Sequence, residues 1–231
     1  LGAELVFQAL KARASPFAKE WMRRRTRIVG RAAARLIRNR HRRKNPYLAV
    51  IAQQTAATIP FEATTRSVAR VLMQPIVDQS WLSRELELDR TLNPDWGFAL
   101  QGLDRSSKEI SEIALELDLA DALIAGSELV ARSVAAKRHI PTIVSHYGAD
   151  LSNSGPARTR SRAQDEPLRI VFGGQVNQRK GISYLLAAVA HLSVPWELSL
   201  IGPISEPVRE KIRESAGEKI NIIGPVARSE L

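Results

Sequence analysis

The stretch Leu168–Gly181, LRIVFGGQVNQRKG, decides the fold of this 231-residue chain. It opens with an apolar run that predicts a buried strand, and Gly173 and Gly174 end that run. A polar turn closing on Arg179 and Lys180 follows, and apolar residues at spacings of three and four then predict a helix. A strand, a glycine-rich turn and a helix in this order are typical of α/β proteins with parallel sheets.

The turn between this strand and helix has the composition of an anion site. Gly173 and Gly174 allow close approach of the backbone, and the N-terminus of a helix carries unpaired N–H groups with a partial positive charge. Arg179 adds a planar fork for phosphate, and Lys180 adds a point charge. Ligands of α/β sheets bind outside the carboxyl ends of the strands, so we predict a phosphate site here. The alternative is a turn that merely connects the strand to the helix.

The rest of the chain repeats the alternation of strand and helix. Apolar runs predict four strands and then, after a polar stretch, three more: 47–52, 69–73, 121–125 and 141–145, followed by 168–172, 196–201 and 220–223. Residues 151–167 contain almost no apolar side chain, which is typical of a linker. We therefore expect an α/β fold of two doubly wound domains that face a cleft, residues 1–150 and 168–231, joined by this linker.

The net charge of +10 is concentrated at the start of the chain. Residues 1–60 hold 14 Lys and Arg against two acidic residues, whereas the remainder holds 20 basic and 22 acidic residues. Residues 19–44 have a helical pattern in which apolar side chains recur among arginines. Such a basic amphipathic helix suits an anionic membrane surface, would equally suit nucleic acid, and is otherwise a solvated outer helix. Nucleic acid is the less favoured partner, because Trp21 is the only aromatic side chain here that could stack on a base.

Composition excludes several kinds of site. The absence of cysteine excludes disulfides and thiolate metal sites and fits a reducing, cytoplasmic compartment. The four histidines are scattered without metal-ligand spacing, so no metal site is predicted. No apolar run approaches the roughly 18 residues of a membrane span, so a membrane-bound form would be peripheral, on the inner face. The chain begins at Leu1 and ends just after a predicted strand, so we expect a fragment truncated at both ends with both domains incomplete.

The order of these motifs resembles a known family. Tyr147-Gly148-Ala149-Asp150 follows the fourth strand, the turn 172–181 follows the fifth, and Leu200-Ile201-Gly202 and Ile222–Val226 end the last two. From about Leu119 to Leu231 the chain resembles the group 1 (family 4) retaining glycosyltransferases of the GT-B fold. The resemblance implies two Rossmann-like domains. It also implies transfer of a sugar from a nucleotide-diphospho-sugar to an acceptor with retention, in cell-surface polysaccharide or glycolipid biosynthesis.

The resemblance also implies donor-binding residues. In the family the donor lies mainly on the C-terminal domain, where a basic pair after the first strand neutralises the diphosphate. Carried onto this chain, the implied donor contacts come from Gly173, Gly174, Gln175, Arg179 and Lys180. Lys180 matches the family lysine, whereas Gln175 stands where the family usually has arginine, and Arg179 is expected to substitute. No cofactor is implied, because the nucleotide-sugar is itself a substrate.

Polar residues at strand ends of the first domain would line the acceptor side of the cleft: Gln53, Gln54, Thr55 and Gln74. The histidine that the family often carries there is absent, so no catalytic residue is assigned. Gly148 is expected to serve a tight turn at the domain crossing and Asp150 to cap the next segment. In the family a paired-glutamate motif for the ribose and sugar lies beyond the position of Gly224, so we expect this fragment to be inactive.

Two other functions stay open. A GT-B nucleotide-sugar epimerase would share the phosphate site, but it needs acidic residues in the cleft of the first domain, and none are evident at residues 53–55. A non-catalytic module would use the basic helix to bind membrane or nucleic acid. The expected partners are a nucleotide-sugar donor, a lipid-linked or saccharide acceptor, and an anionic membrane surface through residues 19–44.

Overall fold

The structure, a computed structural model, describes residues 17–100, 105–148, 166–216 and 219–227. In these ranges seven strands form two parallel sheets. The strands are β1 (Ala49–Gln53), β2 (Ala69–Gln74), β3 (Ala122–Ala125), β4 (Thr142–Val144), β5 (Leu168–Gly173), β6 (Trp196–Ile201) and β7 (Ile220–Gly224). The helices are α1 (Phe17–Arg42), α2 (Thr58–Glu62), α3 (Gln79–Leu92), α4 (Ser107–Leu119), α5 (Glu128–Ala135), α6 (Ile182–Ala190) and α7 (Glu206–Ala216). Two 3₁₀ segments span Pro94–Ala99 and Gln178–Lys180.

The chain divides into two compact units, whose boundary differs from the predicted one. The first unit comprises Leu1–Leu82 and Arg105–Ala149, and the second comprises Ser83–Asp104 and Asp150–Leu231. The sequence prediction assigned residues 83–104 to the first domain, 1–150. They join the second unit because Trp96 and Ala99 are buried in its core. The predicted linker, 151–167, lies almost wholly outside the described residues.

The first unit is built on a sheet with the strand order β1-β2-β3-β4, in which all neighbours are parallel. The register sets Ala52 beside Leu72 and Leu72 beside Leu123, so that these side chains share one face. Side chains from α2, α4 and α5 pack on that face, and removing this apolar surface from water stabilises the unit by roughly 25 cal/mol per Å². The buried cluster consists of Ala57, Phe61, Leu72, Leu117, Ala120, Leu123, Ala125, Val130 and Val134.

The second unit repeats this plan with the strand order β5-β6-β7, again parallel. Burial alternates along its central strand, β6. Leu198 and Leu200 are fully buried, whereas Glu197 is exposed and Ser199 is half-buried. The buried cluster draws on the strands, on both flanking helices and on the first 3₁₀ segment: Trp96, Ala99, Val176, Ile182, Leu186, Val189, Leu198, Leu200, Val208 and Ile212.

The predicted α/β class with two Rossmann-like units is confirmed, and a strand lies at each of the seven predicted positions. The apolar runs located the strands although one face of several of them is uncovered, where Ile51, Ile143 and Val171 are exposed. In both sheets the strand order follows the chain, so the reversal that defines a doubly wound sheet does not occur among the described strands. No helix in the described ranges combines the length and the apolar character needed to cross a bilayer.

The long basic helix α1 packs on the first unit through small residues. Gly30 lies against α2, where an added Cβ would come within 3.3 Å of the Ile59 Cβ. Ala34 and Ile37 follow at helical spacing on the same face and are buried. Near its start the helix is held by an ion pair, in which Arg23 Nη2 lies 2.5 Å from Glu109 Oε1. Glu109 also closes a capping box with Ser106 at the start of α4.

This ion pair makes the docking of α1 sensitive to acid. The Arg23 guanidinium, together with hydrogen bonds from the Ser106 backbone and hydroxyl, lowers the pKa of Glu109 to about 2 from an ordinary value of 4.5. The folded pKa lies below the unfolded one, so the stabilisation is present at neutral pH and is lost as the pH falls from 4.5 toward 2. We expect E109Q to be less stable than the wild type at pH 7 and the difference to shrink across this window, measured by urea unfolding at each pH.

Glu112 provides the matched control for this prediction, because it is exposed on the same helix. E112Q should alter the free energy of unfolding little at any pH. A stability difference for E109Q that stays constant through the acid window would contradict the assignment.

Candidate functional site

At the carboxyl edge of the second sheet, each strand is ended by glycine. Each strand ends at or beside a glycine in the left-handed region: Gly174 follows β5 with φ 129°, Gly202 follows β6 with φ 137°, and Gly224 ends β7 with φ 84°. Only glycine adopts such values without strain. The three strand ends therefore carry no side chain at these positions, where Gly174 is exposed and Gly202 and Gly224 are buried.

Two of these glycines touch. A Cβ added at Gly202 would lie 2.0 Å from the Gly174 carbonyl oxygen, so position 202 accepts no side chain. Hydrogen bonds hold the same layer together, since the Gly174 N–H donates to the Ile201 carbonyl at 2.8 Å and the Gly202 N–H donates to the Gly224 carbonyl at 2.8 Å. The position of the turn after β5 is thus set by the strand ends beside it.

The structure brings the five predicted donor-site residues together in this turn. Gly173, Gly174 and Gln175 are exposed, and the 3₁₀ segment that follows carries Arg179 and Lys180, which are also exposed. Within the described part of the chain, neither cationic side chain has a hydrogen-bond or ion-pair partner. Two unpaired cations next to exposed backbone can attract an anion, and their contact with a donor diphosphate stays a prediction.

The base of the turn is held by residues that the sequence analysis did not single out. Gln178 is 2% exposed, and its Nε2 donates to the Asp89 carboxylate, at 3.1 Å from Oδ1 and 3.0 Å from Oδ2. Its Oε1 accepts from the Ser183 N–H at 3.3 Å. This last bond uses one of the N–H groups at the start of α6, which the sequence analysis expected to be unpaired. That N–H group is therefore not free to bind an anion.

Asp89 joins a wider polar cluster. Tyr184 donates its hydroxyl proton to Asp89 at 2.7 Å, which is the main reason that the pKa of this tyrosine is raised. Asn93 donates to both the Asp89 carboxylate and the Tyr184 oxygen and accepts from the Ser183 hydroxyl. These side chains come from α3, the loop after it, the turn and α6. The sequence offered no local signal for them, because their partners are about 90 residues away.

The carboxyl edge of the first sheet is organised differently. Of the four predicted acceptor-side residues, Gln53 and Thr55 are exposed, whereas Gln54 and Gln74 are 6% and 2% exposed. Gln74 Nε2 donates to the Ile76 carbonyl at 3.1 Å. The strand ends thus bring these polar residues to one edge, but they bury two of the side chains in the unit. A role in acceptor binding stays a prediction for all four.

At this edge a buried carboxylate accepts hydrogen bonds from backbone N–H groups of the loop after β1. Glu116 is 2% exposed and accepts N–H bonds from Thr55 at 2.6 Å, Ala57 at 2.7 Å and Thr58 at 3.3 Å. Burial raises the pKa of Glu116, and these bonds to the charged form oppose that rise. Thr55 itself has a positive φ of 78°. The loop after β1 is therefore closed by the chain's own carboxylate and offers those N–H groups to no ligand.

The remaining predicted positions are Gly148 and Asp150. Gly148 is exposed, with nothing within 4 Å of an added Cβ, and Asp150 lies outside the described residues. A cavity of about 550 Å³ opens at the amino end of the second sheet, beside Trp196 and Lys219. This cavity lies at the opposite end of the strands from the carboxyl edge with its three glycines. In the described ranges no group of three or more potential metal ligands occurs.

Comparison with known proteins adds little. No protein-family model and no curated protein matches the chain. One solved structure that it resembles is an S. aureus MnaA–UDP co-structure, at 11% sequence identity and a TM-score of 0.35, covering 85% of this chain and 52% of that one. The chain thus spans about half the length of that protein. Similarity at this level supports no inference about activity.

The contact between Gly174 and Gly202 predicts a large effect of a single methyl group. In G202A the new Cβ collides with the Gly174 carbonyl, and the alanine must hold a positive φ, so we expect a loss of about 2–5 kcal/mol in the free energy of unfolding. G173A is the matched control, because an added Cβ there meets nothing within 4 Å. Urea unfolding of both variants checks this; equal stability would mean that the two backbones do not touch.

The polar cluster around Asp89 predicts a second effect of mutation on stability. D89A removes the acceptor of the buried Gln178 amide and of the exposed Tyr184 hydroxyl, and a buried donor without a partner costs about 1–3 kcal/mol. We expect a stability loss of that size by urea unfolding. D95A, at an exposed position in the adjacent 3₁₀ segment, should leave stability within about 0.5 kcal/mol of the wild type. A D89A variant as stable as D95A would exclude a supporting role for Asp89.

Proposed function

We propose that this chain is part of a retaining glycosyltransferase that moves a sugar from a nucleotide-diphospho-sugar to a lipid-linked or saccharide acceptor. One observation carries the proposal. Arg179 and Lys180 stand exposed in a glycine-rich turn at the carboxyl end of a parallel strand, and neither side chain has a partner among the described residues. This is where α/β proteins bind phosphate groups, and the turn lies in the part of the chain, from about Leu119 to Leu231, that resembles the family.

The chemistry of sugar transfer suits such a turn. When the bond between the sugar and the diphosphate breaks, negative charge builds up on the departing phosphate oxygens. Cations already held at that point stabilise the transition state without having to reorganise. Arg179 would pair with two phosphate oxygens at once, and Lys180 would add a compact charge. Retention of configuration comes from the family resemblance, and no residue of this chain is assigned to it.

Glu116 weighs against the epimerase alternative. An epimerase needs carboxylates that can exchange protons with the sugar in the first domain. Glu116 is the carboxylate found beside the predicted cleft residue Thr55, yet it is buried and accepts three backbone N–H bonds. A group used in this way supports the loop and is a poor proton donor.

The first test of the proposal is binding of a nucleoside diphosphate to the turn. K180A removes one cation from the site, and a hydrogen bond to a charged group contributes about 1.5–3 kcal/mol, so we expect UDP or GDP to bind about tenfold to a hundredfold more weakly by titration calorimetry. Stability should hardly change, because an exposed lysine contributes little to folding.

K108A is the matched control for this variant, since Lys108 is an exposed lysine in the first unit without a resolved partner. It should bind as the wild type does. Equal affinities of K180A and the wild type would exclude Lys180 from the diphosphate site. Failure of the wild type to bind any nucleoside diphosphate would remove the basis of the proposed donor site.

A further inference from the structure

Helix α1 presents three different faces along its length. With about 100° of turn per residue, Gly30, Ala34 and Ile37 form the face that is buried on the first unit. A second face, about a quarter of a turn away, carries arginines at spacings of three and four. A third face carries apolar side chains that the unit does not cover. A helix that serves only as an outer layer needs the first of these faces and a generally polar remainder.

The arginine face is a row of unpaired cations. It consists of Arg24, Arg27, Arg31, Arg35 and Arg38, all exposed. Within the described part of the chain, none of the five has a hydrogen-bond or ion-pair partner. The one acidic residue of the helix, Glu20, lies toward its start and contacts Arg23. The charges in this row repel one another, so their close spacing is costly unless an anionic surface faces them.

The apolar face is exposed where a water-facing helix would be polar. Ile28 is 62% exposed, Val29 63% and Leu36 60%, and Met22 and Ala32 lie on the same side. Their angular positions fall within about a third of the helix circumference. The sequence pattern alone does not distinguish these residues from Ile37, because all of them recur among the arginines. The structure separates them, because Ile37 packs on the unit whereas Ile28, Val29 and Leu36 face solvent.

We propose that α1 is a membrane-surface helix, which lies in the plane of a bilayer rich in anionic phospholipid. The apolar face enters the boundary between headgroups and acyl chains, and the arginine row binds lipid phosphates beside it. The complementarity of charge and the adjacent apolar strip together select this partner. Nucleic acid would engage the arginines but give Ile28, Val29 and Leu36 nothing to bind. This inference does not rest on the proposed glycosyltransferase function.

The test uses sedimentation of the 231-residue chain with vesicles. One set contains phosphatidylcholine alone, and the other contains phosphatidylcholine mixed with phosphatidylglycerol. The wild type is expected to bind the mixed vesicles and to leave the neutral ones in the supernatant, with weaker binding as salt is raised. R27Q/R31Q/R35Q should lose affinity on the order of a hundredfold, from about 1 kcal/mol per cation near the lipid.

A second variant separates insertion from simple charge attraction. V29Q/L36Q removes two apolar side chains but no charge, and glutamine keeps the helix propensity high. We expect about a tenfold loss of affinity, because less apolar surface enters the bilayer. The matched controls change as many exposed residues outside α1: R66Q/R132Q/R213Q replaces three arginines, and L88Q/L92Q replaces two apolar side chains. Both controls should bind as the wild type does.

Three results would overturn the proposal. The first is a wild type that does not sediment with mixed vesicles, including one that instead binds double-stranded DNA. The second is an arginine variant that binds no more weakly than its control. The third is V29Q/L36Q binding with unchanged affinity, which would leave the apolar face without a role. Since all the substituted side chains are exposed, circular dichroism should give the wild-type spectrum for every variant.

Discussion

The contact between the backbones of Gly174 and Gly202 is the constraint on which the carboxyl edge of the second sheet depends. A Cβ at position 202 would lie 2.0 Å from the Gly174 oxygen, so the two strand ends meet only if that side chain is absent. The same contact determines where the next residues go. Because the turn leaves β5 against the end of β6, Arg179 and Lys180 stand at the carboxyl edge of the sheet, where anions bind in α/β proteins.

The carboxyl edges of the two sheets carry opposite charges beside their backbone N–H groups. Loops that follow parallel strands expose backbone N–H groups, which attract negative charge. At the first edge Glu116 supplies that charge from within the chain and is bound by Thr55, Ala57 and Thr58. At the second edge the exposed charges are the cations of the turn. Of the two carboxyl edges, an anionic ligand therefore has a physical reason to prefer that of the second sheet, independently of any family resemblance.

Residues far apart in sequence support the exposed site. Asp89 and Asn93 come from the segment that sequence reasoning assigned to the other domain, yet they hold Gln178 and Ser183 at the base of the turn. The apolar side chain of Trp96 brings this segment into the second core. Burial of an aromatic residue and satisfaction of buried polar groups thus act together, because a buried amide without an acceptor would be costly.

The sequence by itself determined the positions of the seven strands, the glycine-rich turn with its two cations and the basic helix. Each of these features follows from a pattern in contiguous residues: an apolar run, a turn composition or a helical spacing. Only the tertiary structure decided that Asp89 and Glu116 hold the two loops, that Gln54 and Gln74 are buried, and which face of α1 packs inward. The physical reason is distance along the chain: Asp89 is 89 residues from Gln178, and Glu116 is 61 residues from Thr55. No local pattern encodes a hydrogen bond that exists only after the core has brought its partners together.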